Sequence, residues 1–337
     1  MQEGFDRKSR KQEQFRLREN YFATLKETAD IVNAFFFTYI EDKFKLTPQL
    51  KFDLTERYTQ GKTQLRAAQV RFAYELAGGT DWKQIVPACA ASTLKEAAYY
   101  CIDDIFDKHI DIHRVPLIGI PFISLSYAMI STLDDSFSRE EVQEVIHELF
   151  RLDELNGQGF ILDCKLTTPN EYAYSKKVEG YNFWEQTMRI GAILGHAARS
   201  DIDRFGEIGK HIGSAYIIAN DTWDFAKDLE DFRAGKYTLP IHYAFEHLTG
   251  ADKETFVRLF AKTNLSTQEM DAIRTIVVNN DIIAYGRTHA RVHCDHAIQL
   301  LAVYPDSNAK QMITFATTMT QKNKHYTFLD SYMQTKK

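Results

Sequence analysis

The sequence predicts an all-α protein, and three observations carry that reading. Apolar residues recur at three- and four-residue spacing through most of the chain, alternating strand-type runs with hairpin dipeptides are scarce, and proline and glycine fall mostly between the periodic segments. The clearest periodic segments are Asp30 to Ile40, Leu65 to Ala77, Val142 to Leu152, Phe183 to His196 and Ala284 to Val303. Between segments stand Gly78-Gly79, Pro87, Pro116 to Pro121, Pro169, Gly235 and Pro240. This spacing predicts about ten to twelve helices joined by short loops. No internal repeat and no low-complexity linker divides the 337 residues. A single domain over 1–337 is the simplest account, with 1–20 as a flexible N-terminal segment.

Composition narrows the function classes. Hydrophobic content of 44% and charged content of 26% are ordinary for a globular chain and argue against disorder. A net charge of −5 makes a poor nucleic-acid binder. The basic stretch Arg7 to Arg18 has acidic residues interleaved and reads as a solvated helix start. Cys89, Cys101, Cys164 and Cys294 form no CxxC pair, which fits free thiols in a reducing compartment. The N-terminus carries no apolar leader, so a cytoplasmic location is expected. The longest apolar run, Val115 to Ile130, is broken by Pro116 and Pro121 and is shorter than the ~20 residues of a membrane span. It reads as the buried centre of a helix bundle. Most of the 17 tyrosines and 23 phenylalanines are core, and a subset near the acidic segments would suit a carbocation cavity.

Two acidic segments carry the chemistry. In Tyr99-Tyr100-Cys101-Ile102-Asp103-Asp104-Ile105-Phe106-Asp107, Asp103 and Asp107 share one helical face and Asp104 lies beside them. The preceding turns are aromatic and aliphatic. Clustered carboxylates after an apolar helix call for a hard cation, which prefers carboxylate oxygen. In Asn220-Asp221-Thr222-Trp223-Asp224-Phe225-Ala226-Lys227-Asp228, three oxygen ligands, Asn220, Asp224 and Asp228, recur every four residues along one stripe. It too follows an apolar helix, Ile212 to Ala219. Facing each other across one cavity, two such clusters would bind several Mg²⁺ ions that grip a diphosphate and assist its departure as an allylic cation forms. Asp103, Asp107 and Asp224 are the residues expected to matter most for turnover.

These segments resemble the trans-isoprenyl diphosphate synthases, or polyprenyl synthetases, and the related class I terpene synthases. Asp103, Asp104 and Asp107 are similar to the first aspartate-rich motif of that superfamily. Asn220, Asp221 and Asp224 are similar to the second, with Asn in place of its first Asp. Gly61-Lys62 through Leu65-Arg66 resembles a diphosphate-binding GKxLR element, Gly157-Gln158 followed by Asp163 resembles a GQ element, and Gly235-Lys236-Tyr237-Thr238-Leu239-Pro240 resembles the GKxTLP that trails the second motif. The resemblance implies an antiparallel helix bundle around a deep central cavity, usually a homodimer. It also implies Mg²⁺, three per active site with Mn²⁺ as a substitute, and an allylic prenyl diphosphate as the small-molecule substrate. Lys62, Arg66, Arg114, Lys227 and Lys236 are the implied diphosphate ligands. Ala98, Tyr99, Tyr100 and Gln158 are the implied cavity residues, with Tyr99 one turn below the metal site and blocking the channel at fifteen to twenty carbons.

The departures from the elongating synthases are specific. Thr63-Gln64 replaces a Lys-Arg pair, Glu96 stands where His is expected, and Ile112-His113 replaces an Arg-Arg pair with Arg114 one place late. Glu179-Gly180 replaces Lys-Thr and Ile217 replaces Gln. The isopentenyl diphosphate site therefore looks eroded while the metal motifs remain, and a like charge at an anion site is costly. Asn220, Asp224 and Asp228 also have the spacing of the terpene-synthase metal triad. On these grounds the leading expectation is a terpene synthase, with a chain-elongating prenyltransferase as the alternative and a non-catalytic subunit as the third. His289, His293 and His296 share a helical face, but flanking Arg287 and Arg291 favour a solvated or dimer-facing helix over a Zn²⁺ site.

Overall fold

The computed structural model describes residues 2–43, 46–60, 65–106, 115–133, 136–165, 174, 177–179 and 182–321, with side chains over a smaller set that leaves out 103–106. Every described element is helical. In chain order these are α1 (Gln2–Lys43), α2 (Pro48–Gln60), α3 (Leu65–Leu76), a 3₁₀ turn η1 (Trp82–Ile85), α4 (Val86–Phe106), α5 (Val115–Ile130) and α6 (Arg139–Lys165). There follow α7 (Phe183–Leu194), α8 (Arg199–Lys227), α9 (Glu230–Ala234), α10 (Leu239–His247), α11 (Gly250–Leu259), α12 (Thr267–Asn279), α13 (Ile282–Leu301) and α14 (Asn308–Gln321). Fourteen α-helices among the described residues exceed the number expected from periodicity, because α9 to α11 are short pieces that a hydrophobic period resolves poorly.

Contacts divide the chain into two compact units. The first comprises Met1–Asp153, Phe183–Gly209 and Leu301–Ala316, and the second Glu154–Asn182, Lys210–Leu300 and Thr317–Lys337. In the first unit α4 packs on α5 and α3, and α3 packs on α7. Every residue of α7 is buried, charged ones included. Their charges are paired: the Arg189 guanidinium reaches Glu148 at 2.7 Å and Asp203 at 3.0 Å, and Glu185 meets Arg151 at 2.6 Å. Close helix approach depends on Gly191, where a Cβ would overlap the Val70 carbonyl oxygen and the Ala73 side chain of α3. Gly191→Ala is expected to destabilise by about 2 kcal/mol or more, since neither the backbone oxygen nor a Cβ can move aside cheaply. A thermal melt that leaves the midpoint unchanged would contradict this packing.

The apolar run Val115 to Ile130 is a single helix with Pro121 inside it, so the proline does not break it. Pro121 removes one backbone donor; burial of Phe122, Leu125 and Met129 on one face offsets the loss. Contrary to the sequence-based expectation of a buried centre, the run is not wholly buried: Ile120 is 62% exposed. No described helix is long and apolar enough to cross a membrane.

The second unit has its own core, built on Phe225, Phe232, Phe256, Ile241 and Ile273. Phe232 meets Phe256 edge-on at 4.9 Å, and Tyr237 meets Phe260 at 4.9 Å. A capping box, Ser266 with Glu269, starts α12.

Candidate active site

The first aspartate segment closes α4. Asp103 and Asp104 lie in its last turn, while their side chains, and the whole of Asp107, fall outside the described residues. Lys62 and Arg114 lie outside them as well. The second segment closes α8 in the other unit, and each segment is described within its own unit.

At the end of α8 the Asn220 amide donates to Asp224 Oδ2 at 2.8 Å, bringing two of the three stripe residues together. Burial pushes the Asp224 carboxyl up to about 6, helped by the nearby charges of Asp231, Asp228 and Glu230 and opposed by Lys227. Asp221 is buried, and the Tyr174 hydroxyl donates to its Oδ2 at 3.0 Å. The helix ends at Lys227, so Asp228 is the first residue of the turn rather than a continuation of the stripe. Its Oδ1 accepts from the Glu230 amide at 3.2 Å, beside Leu229 at a φ of 59°. Asp228 thus shapes the turn into α9, a role the four-residue spacing did not reveal. Lys227 is exposed, 3.5 Å from Asp228, and its carbonyl accepts from Arg274 at 3.1 Å. Lys236 follows Gly235, whose φ of 75° ends α9, and its ammonium lies 4.0 Å from Asp231. Among the described residues no three His, Cys, Asp or Glu side chains converge to enclose a metal ion. The helix carrying these groups is pressed against α13, where a Cβ on Gly286 would overlap the Thr222 hydroxyl.

In the first unit, Arg66 is buried and its Nε donates to Glu96 at 2.7 Å. Its guanidinium lies 5.0 Å over the Phe183 ring. Lys95, fully buried, places its ammonium 2.7 and 2.6 Å from the two oxygens of Asp153. The Tyr99 hydroxyl donates to Asp153 Oδ1 at 2.5 Å and the Tyr127 hydroxyl to Oδ2 at 2.6 Å. Burial drags the Lys95 ammonium down to about 8, against the pull of Asp153. Tyr99 also meets Phe183 edge-on at 5.9 Å. Ala98 is buried with its carbonyl facing Gly119, whereas Tyr100 is 55% exposed. In the second unit Gln158 is exposed and donates to Glu154 at 3.3 Å. Sequence reasoning missed Asp153 altogether; its partners lie on α4 and α5, and no local spacing marks it.

The histidine face of α13 meets α8. His293 Nδ1 lies 3.0 Å from His211 Nδ1, and the His211 and His296 rings meet at 5.0 Å. Burial, then His211, His296, His289 and Lys210, push His293 down to about 4. A histidine whose folded pKa lies below its unfolded value takes up its proton at the expense of the fold. Stability from this group is complete above about pH 6.5 and is lost as pH falls towards 4. His293→Gln is expected to flatten the dependence of the urea midpoint on pH across that window. An unchanged slope would show that His293 does not titrate there.

The described elements are all helical, with one acidic segment closing α4 and the other closing α8, as the resemblance of the motifs to the isoprenoid synthases implies. Comparison with known proteins agrees. Residues 117–277 match the polyprenyl synthetase family model. A geranylgeranyl diphosphate synthase of Methanosarcina mazei is 25% identical over 281 residues, covering 75% of this chain and 83% of that protein. Among solved structures, a geranylgeranyl pyrophosphate synthetase of Pyrococcus horikoshii superposes with a TM-score of 0.81 at 20% identity, covering 91% of this chain and 99% of that one. A decaprenyl diphosphate synthase of Rhodobacter capsulatus gives 0.78 at 19% identity, covering 90% and 98%. At these identities the solved structures establish the fold.

Proposed function

We propose that the chain is a trans-prenyltransferase of the geranylgeranyl diphosphate synthase type. It would join an allylic prenyl diphosphate to isopentenyl diphosphate and release diphosphate. The observation that carries this reading is the polyprenyl synthetase match, which encloses the whole second aspartate segment and the Lys236 loop. It displaces the sequence-based preference for a terpene synthase, which none of the similar proteins described above supports.

The donor set fits Mg²⁺: Asn220, Asp221 and Asp224 in one segment, and Asp103, Asp104 and Asp107 in the other, offer only hard oxygen. When bound, the metal ions supply positive charge that neutralises the leaving diphosphate. Lys227 and Lys236, with Lys62 and Arg114, would complete the charge balance. Arg66 would hold the second diphosphate. The allylic C–O bond breaks with its electron pair leaving on diphosphate, the isopentenyl double bond attacks the cation, and loss of one proton restores a double bond. Ala98 and Tyr99, on the turns of α4 before Asp103, would limit the allylic chain to fifteen to twenty carbons. A cytoplasmic homodimer is part of this reading, with exposed Tyr100, Ile120 and Phe150 as the apolar surface to be covered.

One observation favours the cyclase as a second reading: Arg66 is already paired with Glu96. Purified protein with Mg²⁺ and geranyl, farnesyl or geranylgeranyl diphosphate, with and without isopentenyl diphosphate, separates the two. Longer diphosphates that form only with isopentenyl diphosphate are expected. Hydrocarbon or alcohol from the allylic substrate alone would overturn the transferase.

A further inference from the structure

Arg66 sits in an anion receptor that already holds an anion. Its Nε donates to Glu96 Oε1 at 2.7 Å, with side-chain exposures of 9% for Arg66 and 13% for Glu96. Nη1 turns to the Gln69 amide, which bridges on to Thr187. Phe183 covers the face of the guanidinium. The Tyr100 hydroxyl approaches the same Glu96 oxygen at 3.4 Å. A planar guanidinium held flat by an aromatic ring and a buried amide is preorganised to take two oxygens of a carboxylate or a phosphate. Glu96 precedes Asp103 by two turns on α4, so this pair lies about 10 Å along the helix from the first aspartate segment.

We propose that Glu96 is a specificity-determining residue: its carboxylate is an internal competitor seated on Arg66, and a diphosphate gains that guanidinium only by displacing it. The inference rests on the transferase reading and names the residue that tunes its second substrate. A buried ion pair presents no net charge to an incoming anion. Binding must therefore supply what breaking the Arg66–Glu96 pair costs, and Glu96 then faces the diphosphate as a like charge unless it turns away. The consequence is weak, displaceable binding of the co-substrate, set by one side chain.

The test uses inorganic pyrophosphate titrated calorimetrically into the full chain with a chelator present, so that metal-mediated binding at the aspartate segments does not contribute. Glu96→Gln is expected to bind pyrophosphate at least about tenfold more tightly than wild type, and adding Arg66→Ala is expected to abolish the gain. Where Glu96→Gln folds poorly because Arg66 loses its partner, Glu96→Asp, which shortens the arm by one methylene and keeps the charge, is expected to give a smaller gain. Equal affinities in wild type and variants, or a gain that survives loss of Arg66, would overturn the proposal. Tighter pyrophosphate binding without any elongation of an allylic diphosphate by isopentenyl diphosphate would leave Glu96 in this role and remove the transferase reading. Elongation with unchanged pyrophosphate affinity would do the reverse.

Discussion

Asp224→Ala and Asp103→Ala are each expected to lower turnover by on the order of 10³-fold or more at saturating Mg²⁺, with the fold retained. A carboxylate that holds a neutralising cation beside a leaving group acts mainly in the transition state, so its loss falls on kcat. The same acid is a burden in the metal-free protein. The Asp224 carboxyl sits at about 6, above its unfolded value, so ionising it costs the fold. Stability is complete below about pH 4 and declines as pH rises through 6. Asp224→Asn should therefore unfold at a higher temperature than wild type at pH 7 in chelator, and the difference should vanish near pH 4. Activity within about tenfold of wild type in both alanine variants would end the metal assignment.

Asp153→Ala is expected to have the largest effect on stability, about 3 kcal/mol or more. It strands the fully buried Lys95 ammonium and removes the acceptor of two tyrosine hydroxyls at once. Breaking one side of a buried pair costs more than the pair itself contributes, because the remaining charge stays desolvated. The loss should ease towards pH 9, where the amine can shed its proton. Urea unfolding at both pH values measures this, and a loss under 1 kcal/mol at pH 7 would mean that water reaches Lys95 readily. The network also fixes Tyr99. Tyr99→Ala is therefore expected to shift the products towards longer chains while lowering stability; a change in stability alone would make the ring a packing residue only.

The helices were legible where one face is buried over several turns. Leu65 to Ala77 and Phe183 to His196 gave α3 and α7 to within two residues. Gly78, at a φ of 112°, ends α3 as its chemistry required. Pro121 misled because a proline inside a buried helix is tolerated when packing outweighs one lost hydrogen bond. The second segment was legible as a constellation, since Asn220 and Asp224 do meet one turn apart. Asp228 was not, because spacing cannot say where a helix stops. The pairs that decide electrostatics were out of reach: Arg66 with Glu96, Lys95 with Asp153 and Tyr174 with Asp221 join residues far apart in sequence. Glu96 was noticed as a residue out of place, but only coordinates supply its partner.

Gly286 has no chemistry of its own, yet it has no room for a side chain. Any Cβ there pushes against Thr222, whose neighbour in the chain is the buried Asp221. In a saturation mutagenesis screen read out by growth or product yield, position 286 would score with the aspartates, although it lies on a different helix and touches no reactant. Random variation that disturbed the second aspartate segment would enter through this position without altering a single acidic residue. A tuning mutation found there would be misread as remote, when a single added methyl group presses on the helix that carries Asp221 and Asp224.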